Sequence, residues 1–184
     1  MATLLTSAHF TDMPWKNGGG TTCELLRLPA EGDFAVRLST ARVGQNGPFS
    51  CFPGIDRVLM LLEGDGVELA MASGTRVLKR PFEPIAFSGD EPVHCRLLNG
   101  ECLDFNLMTR RDWGRATLEV LPLRAGDACF SQAPQARLLY LHGGEPRLWI
   151  VAPDEAFSLT AEHDGVLVDI TLYPDAESDH VALC

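Results

Sequence analysis

Turn-forming groups recur along this chain at intervals too short for long helices: Asn17-Gly18, Asn46-Gly47-Pro48, Pro53-Gly54, Glu63-Gly64-Asp65-Gly66, Ser73-Gly74, Ser88-Gly89-Asp90, Asn99-Gly100, Gly143-Gly144 and Asp164-Gly165. Glycine and proline at these points interrupt helical runs, and the segments between them have the length of strands. An all-β sandwich or barrel is expected.

The segments also carry the two-residue period of a strand. In residues 34–39, Phe34, Val36 and Leu38 fall on one face and Arg37 and Ser39 on the other. In residues 103–108, Leu103, Phe105 and Leu107 share a face, leaving Asp104 and Asn106 together opposite. Val58-Leu59-Met60-Leu61-Leu62, following Arg57, is apolar without a break, as in a strand covered on both sides. Glu63-Gly64-Asp65-Gly66 then reads as a hairpin turn into residues 67–71. After Thr109-Arg110-Arg111-Asp112-Trp113-Gly114, read as a surface linker, the rhythm restarts with runs at 116–121, 136–141, 147–152, 157–159 and 166–173. This divides the chain into β units at 1–110 and 111–184, although no residue-level repeat aligns the halves.

A net charge of −10, spread along the 184 residues, makes nucleic acid and anionic membranes poor partners. It also makes any convergence of the few cations informative. Six cysteines at 23, 51, 95, 102, 129 and 184 show no CxxC and no framework spacing. The start Met1-Ala2-Thr3-Leu4-Leu5 lacks a leader pattern, and no apolar run reaches spanning length. A reduced, cytoplasmic chain is expected, with each Cys a small buried hydrophobe. Histidines at 9, 94, 142, 163 and 180 form no ligand spacing, so neither a metal nor another cofactor is expected. No nucleophile elbow occurs, and Glu24 and Asp104 are isolated candidates for acid–base work.

The stretch from Pro14 to Thr22, PWKNGGGTT, places Lys16 before its glycines and strand-like Cys23-Glu24-Leu25-Leu26 after them, which is not P-loop order. Two readings stand. Gly18, Gly19 and Gly20 can form a nest of N–H groups for an anion, aided by Lys16, or they are a slack Asn-Gly turn. Trp15 beside them calls for a packing partner that would hold the loop. Inside a barrel, Lys16, Arg37 and Arg57 would need Glu24, Asp104 or a bound anion as counter-charge, with Asn17, Ser39 and Asn106 as further polar groups. A small-carboxylate pocket and an internal salt-bridge network both meet that need.

PWKNGGGTT with Cys23-Glu24-Leu25, then VRLSTARV, NGPFSCFPGIDR, FSGD and CLDFNLMTRR, resembles the HutD/Ves family in order and spacing over residues 13 to 111. The resemblance implies a double-stranded β-helix of the cupin, RmlC-like jelly-roll kind, present twice as a bicupin and lacking the usual His and Glu metal ligands. It implies a cytoplasmic, non-catalytic accessory protein of histidine utilisation that binds a small anionic metabolite, urocanate or formylglutamate, and restrains pathway expression. The Ves branch is associated instead with stress responses. Matching positions carry the family's site onto Trp15, Lys16, Asn17, Gly18, Gly19, Gly20, Thr22, Glu24, Arg37 and Ser39. The later motifs add Phe49, Ser50, Phe52, Arg57, Phe87, Asp104 and Asn106. Two positions depart: Cys23 stands where a basic residue often precedes the Glu, and Val36 where an aromatic often precedes the Arg. Alternatives are an enzyme on such a metabolite with Glu24 or Asp104 as general base, and a homodimeric assembly protein whose polar cluster is structural.

Overall fold

The computed structural model describes residues 1–175, so His180 and Cys184 lie outside the described residues. Strand β1 (Thr3–Leu5) and a 3-10 turn at Ser7–His9 precede β2 (Thr11–Pro14), β3 (Gly20–Leu28), β4 (Val36–Val43) and β5 (Gly47–Pro48). Then come β6 (Ile55–Glu63), β7 (Val67–Met71), β8 (Gly74–Leu78), β9 (Pro84–Ser88), β10 (Val93–Leu97) and β11 (Cys102–Arg110). The remainder holds β12 (Gly114–Leu123), β13 (Ala128–Gln132), β14 (Arg137–His142), β15 (Arg147–Val151), β16 (Ala156–Thr160) and β17 (Gly165–Pro174). No helix among the described residues is long and apolar enough to cross a membrane.

The chain divides into one unit of Thr11–Asp112 and another of Met1–Phe10 with the residues from Trp113 onward. The expected division at 110/111 is displaced at its start, because β1 pairs antiparallel with β15 from Thr3↔Ile150 to Leu5↔Leu148. Nor are residues 109–114 a surface linker. Thr109 and Arg110 finish β11, and the Trp113 side chain is 2% exposed.

The unit Thr11–Asp112 contains a six-stranded sheet, β2-β3-β4-β11-β6-β9, and a four-stranded sheet, β5-β10-β7-β8. The unbroken apolar run of β6 is buried on both faces, through Leu59, Met60, Leu61 and Leu62. Its exit is not a hairpin: β6 pairs with β11 and β9, whereas β7 pairs with β10 and β8. Gly64 and Gly66 carry the chain from one sheet to the other at φ +100 and +110. Each passes so close to neighbouring backbone, at Glu101 and Leu78, that a Cβ would collide. An apolar cluster of Val43, Leu59, Leu61, Leu69, Val93, Cys95 and Cys102 forms the core. Cys95 and Cys102 therefore behave as the small hydrophobes expected, but Cys23 and Cys129 are only partly buried and Cys51 is exposed.

The other unit pairs β1-β15-β14-β17-β12 in one sheet and β13-β16 in a second. Its core gathers Leu123, Leu139, Leu141, Val151, Phe157 and Leu167. Buried Arg137 donates from Nε to Asp169 Oδ1 at 3.0 Å and from Nη2 to Asp169 Oδ2, with Ser131 Oγ accepting from Nη1. That pair satisfies itself.

Candidate functional site: a polar cavity in the unit Thr11–Asp112

The register of three central strands sorts their inward side chains into rows. Arg37, Met108 and Arg57 form one row; Ser39, Asn106 and Leu59 the next; Ala41, Asp104 and Leu61 the third; Val43 and Cys102 follow. The rows run from charged to apolar, and the apolar end joins the core cluster. The polar end faces a cavity of 530 Å³.

Of the residues expected at a site, Trp15, Lys16, Asn17, Thr22, Arg37, Ser39, Phe52, Arg57, Asp104 and Asn106 line this cavity, with Phe49 and Ser50. Glu24 and Phe87 do not line it but hold its cations. Glu24 Oε2 accepts from Arg37 Nε at 2.6 Å, and the Phe87 ring lies 5.0 Å from the Arg57 guanidinium carbon. Sequence reasoning missed Met13, Pro14, Ala41, Pro48 and Met108. Ala41 and Met108 were discoverable, since each continues by two residues an alternation already recognised. Met13, Pro14 and Pro48 carried no strand alternation to mark them; they lie on β2 and β5, edge strands of their sheets.

The triglycine does not form the anion nest. Gly18, Gly19 and Gly20 line a separate hollow of 230 Å³ with Arg42 and Glu101. Only Gly18 of the three has positive φ, and its N–H donates to the Trp15 carbonyl at 2.9 Å. The Gly19 N–H donates to Asn17 Oδ1 at 3.0 Å. Both amides are spent closing the turn, whose product is the seating of Trp15: Trp15 N–H donates to the Gly20 carbonyl at 2.9 Å, and Nε1–H to Thr22 Oγ1 at 2.8 Å. A Cβ on Gly20 would overlap the Arg42 carbonyl and lie 3.0 Å from the Trp15 ring. Gly20→Ala is therefore expected to destabilise by roughly 2–3 kcal/mol through overpacking. Gly18→Ala meets open space and strains only φ +70, at about 1 kcal/mol. Urea unfolding of the two variants reads this order, and equal losses would contradict the seat for Trp15.

Arg57 is the centre of the site. It is 4% exposed, and its guanidinium carbon lies 5.6, 5.4 and 5.0 Å from the rings of Phe49, Phe52 and Phe87. Stacking on three aromatic faces compensates part of the charge's lost hydration. Hydrogen bonding compensates little: Nη1 reaches the Ser50 carbonyl at 3.4 Å, and buried Nε–H has no partner. Burial lowers its pKa to about 10, against the opposing pull of Asp104, so the group stays charged at neutral pH. Asp104 is 6% exposed, and its Oδ1 has no hydrogen-bond partner. Burial raises its pKa to about 7, with Arg57 opposing. Asn106 Oδ1 is likewise buried without a partner.

The segment carrying Phe49, Ser50 and Phe52 is tied down around its turn. Phe52 N–H donates to the Gly89 carbonyl and Gly89 N–H to the Ile55 carbonyl, both at 2.7 Å. Gly54 N–H donates to Asp90 Oδ1 at 3.0 Å, and Arg111 bridges Asp90 and Asp56 at 2.6 Å each. Among the described residues, no three His, Cys, Asp or Glu side chains gather as metal ligands.

The HutD family model matches residues 7–179. An uncharacterized 21.2 kDa protein in the hutC 3' region of Pseudomonas putida is 42% identical over 118 residues, 63% of this chain and 62% of that protein. Protein Ves of Cronobacter sakazakii is 42% identical over 107 residues, covering 58% of this chain and 59% of its own. The chain thus spans about three-fifths of the length of these curated relatives. Among solved structures, a conserved protein of unknown function from Pseudomonas aeruginosa PAO1 superposes with TM-score 0.79 at 30% identity, over 96% of this chain and 100% of that one. HutD from Pseudomonas fluorescens SBW25, in its formate condition, gives TM-score 0.72 at 29% identity over 94% and 100%. Tomato vicilin gives 0.70 at 8% identity over 94% and 85%, a likeness of fold alone. The fold is all-β and cupin-like.

Proposed function

The chain belongs to the HutD family, and on that premise we propose that the cavity of the unit Thr11–Asp112 binds a small carboxylate of histidine utilisation. The candidates are urocanate and formylglutamate, and the protein acts in the cytoplasm as a sensor or buffer without chemistry of its own. One observation carries this reading: a buried, ring-stacked guanidinium at Arg57 with an N–H donor unspent. Arg37 is neutralised by Glu24, which leaves Arg57 and Lys16 against the single carboxyl of Asp104, whose ionisation burial disfavours. In a chain of net charge −10, such a pocket discriminates for anions by local charge. A carboxylate would accept from Arg57 through charge-assisted hydrogen bonds that the protein itself does not supply.

Titration calorimetry with each compound tests the proposal, the expected result being saturable binding of at least one at one equivalent per chain. Heat-silent titrations with both, repeated by equilibrium dialysis, would remove it. A second reading is favoured by Asp104, whose raised pKa of about 7 suits a general base. Mass analysis after prolonged incubation separates the two: intact ligand supports the binder, and turnover the enzyme.

A further inference from the structure

Three buried polar atoms at this cavity lack hydrogen-bond partners: Arg57 Nε, Asp104 Oδ1 and Asn106 Oδ1. They are not of one kind. The arginine atom is a donor, whereas the two oxygens are acceptors. A ligand offering only carboxylate oxygens answers the first and leaves the others desolvated and unpaired, an unfavourable outcome for each. Beside Asp104 in its ionised form, above pH about 7, it would also set oxygen against oxygen.

The surroundings of Asp104 explain why the protein does not repair this itself. Its row neighbours on β4 and β6 are Ala41 and Leu61, which have no side-chain donor. Asp104 and Asn106 stand two residues apart on one face of β11, roughly 7 Å along the strand, and both line the cavity. Arg57 enters from the far row, and each of the two charged groups shifts the other's proton affinity. The other unit shows that an arginine and an aspartate can close on each other, since Arg137 and Asp169 do so. In the unit Thr11–Asp112 the Arg57 Nε–H donor and the Asp104 Oδ1 acceptor are both buried and both without a partner.

We propose that the cavity selects carboxylates that also carry an N–H donor, with the carboxylate on Arg57 and the N–H on Asp104, assisted by Asn106. This rests on the carboxylate reading of the cavity given above. The ligand class is then a donor–acceptor molecule, such as an imidazole acid or an N-acylamino acid, and not a plain organic acid of the same size. Asp104 is the residue that sets this specificity.

Calorimetry on matched pairs tests it. Urocanate is compared with 3-(1,3-oxazol-4-yl)acrylate, in which a ring oxygen replaces the N–H and the second ring nitrogen is kept, and formylglutamate with the formate ester in which oxygen replaces the amide N–H. For the wild-type chain, the N–H member of at least one pair is expected to bind roughly tenfold to a hundredfold more tightly. Asp104→Leu, of similar volume but without an acceptor, is expected to narrow that ratio to within roughly threefold by weakening the N–H compound alone. Asp104→Asn keeps an oxygen acceptor and should keep the preference. Equal affinities within both pairs would overturn this inference and leave the carboxylate reading standing. Binding by no member of either pair would overturn both. A preference unchanged in folded Asp104→Leu, checked by thermal melting, would remove Asp104 from the role. If that variant does not fold, the wild-type pairs still decide.

Discussion

Arg57→Met is expected to weaken carboxylate binding by roughly a hundredfold or more, because it removes the charge-assisted donors while leaving an unbranched side chain of similar reach. The methionine would lie among Phe49, Phe52 and Phe87, where a thioether packs well on aromatic rings. Stability should therefore change little, since a buried charge with few hydrogen bonds is itself costly to hold. Arg57→Ala tests the other half of the argument. It vacates the space between three rings and should destabilise by roughly 3 kcal/mol as well as abolish binding. Arg57→Lys keeps the charge but loses the planar fork, and should fall between wild type and Met in affinity. Calorimetry and urea unfolding read both axes. Undiminished binding by folded Arg57→Met would show that the anion sits elsewhere.

Asp104→Asn is expected to be more stable than wild type at pH 8 and indistinguishable from it near pH 4. The Asp104 carboxyl has its pKa raised by burial from 3.8 to about 7 in the folded chain. Between those values the folded state holds a proton that the unfolded state has released. Unfolding then releases that proton, so stability falls as pH rises across the window and stays at its lower value above pH 7. Over about three pH units the loss amounts to roughly 4 kcal/mol at most. Asparagine does not titrate and escapes it. Urea unfolding of both proteins at pH 4.5, 6 and 8 gives the difference directly, and a pH-independent difference would mean that Asp104 is not held neutral by burial. A destabilising carboxylate at a cavity wall is the kind of residue retained for binding and not for folding.

The architecture was legible where local pattern suffices. Arg37 with Ser39, and Asp104 with Asn106, were placed on shared faces by alternation alone, and the register of β4 with β11 brings those faces together. The errors have a common physical cause: one-dimensional signals report what a backbone is able to do, not which partner it meets. Glycines at 18–20 announced conformational freedom, but whether their N–H groups point outward or back to Trp15 and Asn17 depends on the closed turn. The turn at 63–66 has hairpin composition, yet the same positive-φ glycines serve equally to cross between sheets. Strand β1 is three residues long and pairs with residues 148–150, so nothing near it in sequence betrays its place. The ring cage around Arg57 joins Phe49 and Phe52 to Phe87 across three intervening strands, β6 to β8. Family resemblance supplied those residues, and alternation could not have.

The closed pair of Arg137 and Asp169 has a consequence for how the chain would report concentration. Its donors and acceptors are mutually consumed, whereas Arg57 in the unit Thr11–Asp112 keeps an N–H unspent. Two β units would ordinarily suggest up to two equivalents per chain. On the carboxylate reading proposed above, the polar cavity of the unit Thr11–Asp112 would supply a valence of one. Occupancy would then follow a simple hyperbola, and a steeper response would have to arise between molecules, not within one.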